Sequence, residues 1–487
     1  MAITTDERYQ LFIGGETVRA SEDEYTTTRN PATGEPLAQV AEATADDIDD
    51  AVAAARSAFP AWRKRDPVER GRIVRELGAA IREHAATLAD TESRDQGKPL
   101  SQARDDIDQA ARFFEYYAGA ADKLEGESVP LTRDKLDLTV REPYGVSGQI
   151  IPWNFPLNLT ARGIAPALVA GNTVVIKPAP TTPLTALELA DLCEEAGIPD
   201  GVVNIVTGGA APGAALSAHE DIDQLTFTGS VPTGEAVMKS AAETITPVTL
   251  ELGGKNPAIV MPDANLDEAV EWITDGIFTN CGQTCSATDR AIVHESVYEE
   301  FIERATEVAE SLRVGVGTDD PDMGPLNHAE HFVTVLDYIE VGKAEDATLE
   351  TGGKELTGEQ YDDGYFVEPT IFSDVTTDMR IAQEEIFGPV LTVMPFSERE
   401  EAIDIANDVE FGLTGGVFTE NVKQALSMVR DIEAANVYVN EWRFGGSVET
   451  PFGGMKKSGI GREKGMEAVD SYLETKNICI NLDEERS

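Results

Sequence analysis

Residues 145–254 open with GVSGQIIP (145–152) and close with PVTLELGG (247–254). Between these ends, NTVVIKP (172–178), GVVNIVT (201–207) and QLTFTG (224–229) are short apolar runs of strand length. Helical patterns separate them: LNLTARGIAPALVA (157–170), PLTALELADLCEEAG (183–197), PGAALSAH (212–219) and VPTGEAVMKSAAE (231–243). Strands alternating with helices at this spacing predict an α/β fold built on a doubly wound parallel sheet. Ligands of such sheets bind beyond the carboxyl ends of the strands, where TFTGS (226–230) and LELGG (250–254) fall.

Working outward, residues 44–122 carry apolar positions at three- and four-residue spacing behind a Thr44 cap, which predicts helices. GESVPLTRDKLDLTVRE (126–142) alternates apolar and polar residues around a charged turn and predicts a hairpin. A second alternating α/β region spans about 256–455, and SYLETKNICINLD (471–483) predicts a terminal strand. That strand and the hairpin each need a partner, and each can supply it to the other, within one chain or between two.

The chain has 487 residues, room for two or three domains at roughly 150 each. It carries 39 Lys+Arg against 88 Asp+Glu, a formal charge of −49, with 41% hydrophobic residues. That apolar content predicts a folded protein, while the excess carboxylate excludes nucleic acid and anionic membranes as default partners. Self-repulsion at this charge predicts a salt-rich cytoplasm, as in an extreme halophile. The N-terminus lacks a basic stretch followed by an apolar run, no segment is apolar for long enough to span a bilayer, and four cysteines are too few for a disulfide framework. The expected location is therefore cytoplasmic.

Cys281 and Cys285 lie in NCGQTCSATDR (280–290) without the histidines or spacing of a zinc site, so no metal is expected. The setting of Cys285 reads as a loop-to-helix turn whose backbone N–H groups could lower the thiol pKa and bind an oxyanion. Asn154 lies between prolines after the first strand, a rigid position for an amide donor. Glu251 ends a strand ahead of two glycines and is placed to act as a general base. Gly229 to Gly234 follow a strand and open a helix, a geometry that can seat pyrophosphate, whereas GIGREKG (459–465) does not have that context.

Taken in order, PWNFP (152–156), GNTVVIKPAP (171–180), FTGS (227–230), LELGGKNP (250–257), GQTCSA (282–287), EEIFGPV (384–390) and PFGGMKKSG (451–459) resemble the aldehyde dehydrogenase superfamily. The resemblance implies a Rossmann-like cofactor domain (1–122 and 144–253), an α/β catalytic domain (254–455) and a small β oligomerisation element (123–143 and 456–487). It implies Cys285 as nucleophile, Asn154 as oxyanion donor, Glu251 as the base that hydrolyses a thioester, and Glu463 as a second carboxylate in proton relay. NAD or NADP is the implied cofactor, contacted by Ile151, Trp153, Lys177, Pro180, Gly229, Ser230, Gly234, Glu385 and Phe387. The implied partners are a small-molecule aldehyde and one or three further copies of the chain.

Two positions depart from the family pattern. Pro180 stands where NAD-preferring members often carry Glu, which makes NADP admissible. Gly163, preceded by Arg162, stands where a Lys is usual, so a proton path through that Lys is rerouted or absent. Arg162 and Arg443 are candidate contacts for a carboxylate on a semialdehyde of sugar-acid or amino-acid catabolism, although ordinary structural arginines account for both more simply. Acyl transfer to coenzyme A is disfavoured by the presence of Glu251, and a silent binding protein by the presence of both Cys285 and Glu251.

Overall fold

The computed structural model describes residues 8–442 and 447–483. The segment 145–254 forms the heart of an eight-stranded sheet. Its order is Gly459–Ile460, Val248–Glu251, Gln224–Thr228, Val146–Ile150, Thr173–Lys177, Val203–Ile205, Leu11–Ile13, Glu16–Val18. The five central strands are parallel, as their nearly continuous apolar runs require when helices cover both faces. Chain order runs outward in both directions from Val146–Ile150, so the sheet switches direction between that strand and Gln224–Thr228. The crevice at such a switch receives the loops that follow both strands, here PWNFP and TGS.

The helical region resolves into Ala45–Lys64, Pro67–Glu83, Ala85–Gln96 and Leu100–Ala118. The first begins as expected: Asp47 accepts the Thr44 N–H at 2.7 Å and also holds Ser21. Asp66 caps the second through the Val68 N–H at 2.9 Å, with Pro67 preset for the first turn. Gly97, at φ 102°, ends the third, and Pro99 starts the fourth. Residues 8–41, for which the sequence suggested no structure, form five short strands, two of which extend the main sheet antiparallel at its edge.

The second α/β region forms a seven-stranded sheet whose five interior strands, Thr370–Ser373, Val390–Phe396, Arg290–His294, Pro257–Val260 and Thr414–Phe418, are parallel. The two orphan strand signals meet within one chain. Leu473–Asn481 pairs antiparallel with Lys135–Pro143 over nine residues, and Ser128–Val129 flanks the latter. Among the described residues no helix is long and apolar enough to cross a membrane.

Candidate active site

Glu251 is the last residue of its strand, and its carbonyl accepts the Gly229 N–H at 3.0 Å, which ties LELGG to FTGS. Ser230 then stands at the start of the helix Val231–Thr244 without a side-chain capping bond, so the helix's first N–H groups open at the switch point. Asn154 lies in the turn between Val146–Ile150 and the helix Pro156–Ala170. Cys285 comes from the other α/β unit, between a short 3-10 turn (Thr279–Gly282) and the strand Arg290–His294.

One cavity of about 1060 Å³ collects these groups. Its lining includes Trp153, Asn154, Arg162, Gly229, Ser230, Glu251, Cys285, Glu385 and Phe387. Ile151, Lys177, Pro180, Gly234 and Glu463 lie outside the lining. Ile151 and Lys177 are buried at the ends of neighbouring strands, the Ile151 N–H donating to the Lys177 carbonyl at 3.0 Å. The Lys177 ammonium donates to the Pro178 carbonyl at 3.0 Å, and burial lowers its pKa to about 8. Pro180 is exposed on the loop that follows. Gly234 is buried in the first helical turn, where an added Cβ would stand 2.6 Å from Leu252. Arg443 lies outside the described residues.

The environment of Cys285 corrects one expectation. A strand, not a helix, follows the cysteine, so the loop that carries the thiol does not open a helix. Burial pushes the Cys285 thiol up to about 12, opposed by the nearby Arg162 guanidinium. Asn154 donates one amide N–H to the Gln283 carbonyl at 3.0 Å. An amide nitrogen carries two donors, and this group faces the cavity that holds the thiol.

Glu251 is 2% exposed, and burial raises its pKa well above the usual carboxylate range, opposed by Arg162. Among the described residues neither of its carboxylate oxygens has a hydrogen-bond partner, and Arg162 Nη2 is 3.7 Å away. Gly453 makes room for it, since a Cβ there would stand 2.8 Å from Glu251 Oε1. Arg162 also pairs through Nε with Glu463 and packs its guanidinium 4.6 Å from the Phe452 ring centre. Arg162 therefore joins the two carboxylates that the motifs had marked separately. Gly163 could not carry a lysine without a shift: an added Cβ would lie 2.4 Å from Gln149 Oε1.

Arg162→Met removes the guanidinium paired with both Glu251 and Glu463 and leaves only the more distant charges of Arg462 and Lys464, which should cost about 3–5 kcal/mol of stability near neutral pH. A buried carboxylate with a raised folded-state pKa stabilises when protonated and loses that contribution as pH rises through the folded pKa. The deficit in urea unfolding should therefore shrink as pH falls from about 8 to about 5. A deficit that stays constant over that range would contradict the pairing.

A histidine pair that the sequence motifs do not include, His328 and His331, lines the cavity beside Trp153. His331, His328 and Phe387 surround Trp153 with ring centres 5.2, 5.3 and 5.4 Å away. Burial lowers the His331 pKa to about 4, so its neutral ring donates Nε2–H to the Phe387 carbonyl at 2.7 Å. Phe387 is at φ 59°, a strained value for a non-glycine residue, and that hydrogen bond helps to hold it there. Glu385 accepts the Gly254 N–H at 3.0 Å, and burial raises its pKa to about 8. A Cβ at Gly253 would stand 2.1 Å from Glu385, so the glycine keeps this carboxylate at the cavity wall.

An open helix N-terminus, a ring-lined slot and a carboxylate at the cavity wall suit a dinucleotide. The sequence model of the aldehyde dehydrogenase family matches residues 18–478. The chain belongs to the aldehyde dehydrogenase family. It is 46% identical to an aldehyde dehydrogenase from Alternaria alternata over 97% of this chain and 95% of that one. The NAD+ complex of an aldehyde dehydrogenase from Bacillus cereus superposes with a TM-score of 0.96 at 45% identity, over 98% of this chain and 97% of that one. Betaine aldehyde dehydrogenase from Staphylococcus aureus, also solved with NAD+, gives 0.96 at 38% identity over 98% and 95%. As a member of this family the chain is an oxidoreductase that oxidises aldehydes with NAD(P), on an α/β fold.

Proposed function

We propose that this aldehyde dehydrogenase works hydrolytically, through an acyl-cysteine on Cys285. The observation that carries the reading is that Cys285, Asn154 and Glu251, drawn from three separate segments, line one cavity with Gly229, Ser230 and Phe387. The Cys285 thiolate adds to the aldehyde carbon, and the carbonyl oxygen becomes an oxyanion beside the Asn154 amide and the Cys285 N–H. Bound NAD(P) supplies the hydride acceptor, and a thioester remains on Cys285. Glu251 takes a proton from water, which attacks the thioester; the C–S bond breaks, and acid and thiolate are released. Arg162 holds Glu251 and Glu463 beside one another, and Glu463 serves as the second carboxylate of a proton relay.

Ser230, Trp153, Gly229, Glu385 and Phe387 hold the cofactor along the cavity in this reading, and Ile151, Lys177, Pro180 and Gly234 border its adenosine half. NADP is admitted beside NAD because Pro180 carries no charge to repel a 2′-phosphate. Residues 1–122 and 144–253 act as the cofactor domain, 254–455 as the catalytic domain, and 123–143 with 456–487 as the bridging element. On that element Leu136 and Ile480 are cross-strand partners. Both are exposed, 41% and 42%, and they form a face suited to another copy of the chain in a dimer or tetramer.

Among the described residues, the acidic lining and the engagement of Arg162 support an aldehyde without a free carboxylate, although Lys464 also lines the cavity. Arg162 is already held by Glu463 and Glu251, and Asp105, Asp106 and Asp275 line the same cavity. An aldehyde without a free carboxylate is the better fit. Steady-state turnover of aldehydes with and without a terminal carboxylate, run with NAD and NADP, tests this. The carboxylate-free substrates should give the higher kcat/KM, and a preference for semialdehydes would overturn the assignment.

The acidity reads as a surface adaptation to a salt-rich cytoplasm and has no part in the chemistry. Activity and oligomer mass should rise from low salt to molar KCl as counterions screen the −49 charge. Full activity and unchanged mass without salt would refute the adaptation and leave the enzyme assignment intact.

A further inference from the structure

Lys98 lies in the short link between the helices Ala85–Gln96 and Leu100–Ala118, and its side chain is 0% exposed. A buried ammonium is costly unless fully partnered, and this one has four partners. Glu92 lies 3.3 Å away, Asp106 pairs with it directly, the Asn154 carbonyl accepts from Nζ at 3.0 Å, and the Phe155 ring centre lies 4.3 Å off. Glu92 also accepts the Leu157 N–H at 3.3 Å, in the first turn of the helix Pro156–Ala170. The cluster thus grips residues 154–157 from two sides, by the Asn154 carbonyl and by the start of the helix that follows. Asn280, at φ 52°, adds a second donor to the same carbonyl at 3.0 Å.

We propose that Lys98, with Glu92 and Asp106, is a positioning group for the oxyanion site, fixing the Asn154 backbone so that its side-chain amide meets the oxygen that becomes charged. The inference rests on the reading of Asn154 as the oxyanion donor. Three ionisable groups are an expensive way to satisfy one carbonyl, and a buried ion cluster adds little to stability compared with apolar packing. A role in setting geometry explains why the cluster lies under this turn: a donor displaced by about 1 Å loses on the order of a hundredfold in rate. Asp106 also lines the cavity, so the cluster reaches the wall of the site while Lys98 itself does not.

The test is a double-mutant cycle with Asn154→Ala. Neutralising the cluster as Glu92→Gln/Lys98→Met/Asp106→Asn removes all three charges together, so no unpaired ion is left buried. The burst of NAD(P)H in the first turnover should slow by about tenfold to a hundredfold. NAD(P) affinity and the rate at which iodoacetamide alkylates Cys285 should stay unchanged, because neither uses the oxyanion site. In the Asn154→Ala background, neutralising the cluster should slow the burst by less than about twofold further, since the two act as one unit. Should the neutral cluster fail to fold, Lys98→Arg enters the same cycle, its larger head displacing the carbonyl. Losses that multiply independently, or a burst unchanged by the cluster variants, would overturn the inference alone. A burst unchanged by Asn154→Ala itself would overturn the oxyanion reading and this inference with it.

Discussion

Cys285→Ala should abolish aldehyde-dependent NAD(P)H formation, with a loss on the order of 10⁴-fold or more, while NAD(P) binding persists. The magnitude follows from the absence of a substitute. Cys281 is 1% exposed, packs in the hydrophobic core of the second α/β unit, and burial raises its thiol pKa further than that of Cys285. Cys193 is buried in the core against the eight-stranded sheet, and Cys479 lies on the terminal strand. Of the four cysteines, only Cys285 shares a cavity with Asn154 and Glu251. Burial holds its thiol at about 12, so the resting enzyme should alkylate slowly near neutral pH. Arg162→Met should slow alkylation further by removing the opposing charge. Appreciable turnover in Cys285→Ala would remove the acyl-cysteine from the reaction.

The second large effect belongs to Glu251. Glu251→Gln should leave a burst of about one NAD(P)H per site, followed by steady turnover slowed by about 10²–10⁴-fold, because hydride transfer precedes hydrolysis. The pH profile should report the same residue. A base acts only when deprotonated, and the Glu251 pKa is raised by burial, so steady turnover in the wild type should climb with pH through that raised pKa. The climb should vanish in Glu251→Gln. An unchanged steady state would take Glu251 out of the role of base.

The parts that the sequence showed clearly are those where one segment suffices. Apolar runs at 145–254 mark the central strands because a parallel sheet buried on both faces needs little else, and Thr44 with Asp47 marks a helix start through a local bond. The strands of residues 8–41 gave no such signal, since they are two to six residues long and take their stability from the edges they join. The site divides the same way. Cys285, Glu251 and Asn154 stood out through motifs, but the link between Glu251 and Glu463 runs through Arg162, far along the chain from either partner. Nothing local marks such a contact. Lys98 was invisible for the same reason, because the spacing of Glu92, Lys98 and Asp106 is ordinary until the fold brings Asn154 against them. The loop-to-helix reading at Cys285 failed because the small polar residues of QTCSA suit a tight turn into a strand equally well.

The central claim is that an acyl group passes through Cys285. The direct measurement is mass spectrometry of Glu251→Gln quenched in acid within the burst, with an aldehyde and NAD(P) present. The expected result is a peptide containing Cys285 that carries the acyl mass in an amount matching the burst. A burst without that adduct, or an adduct on another residue, would contradict it.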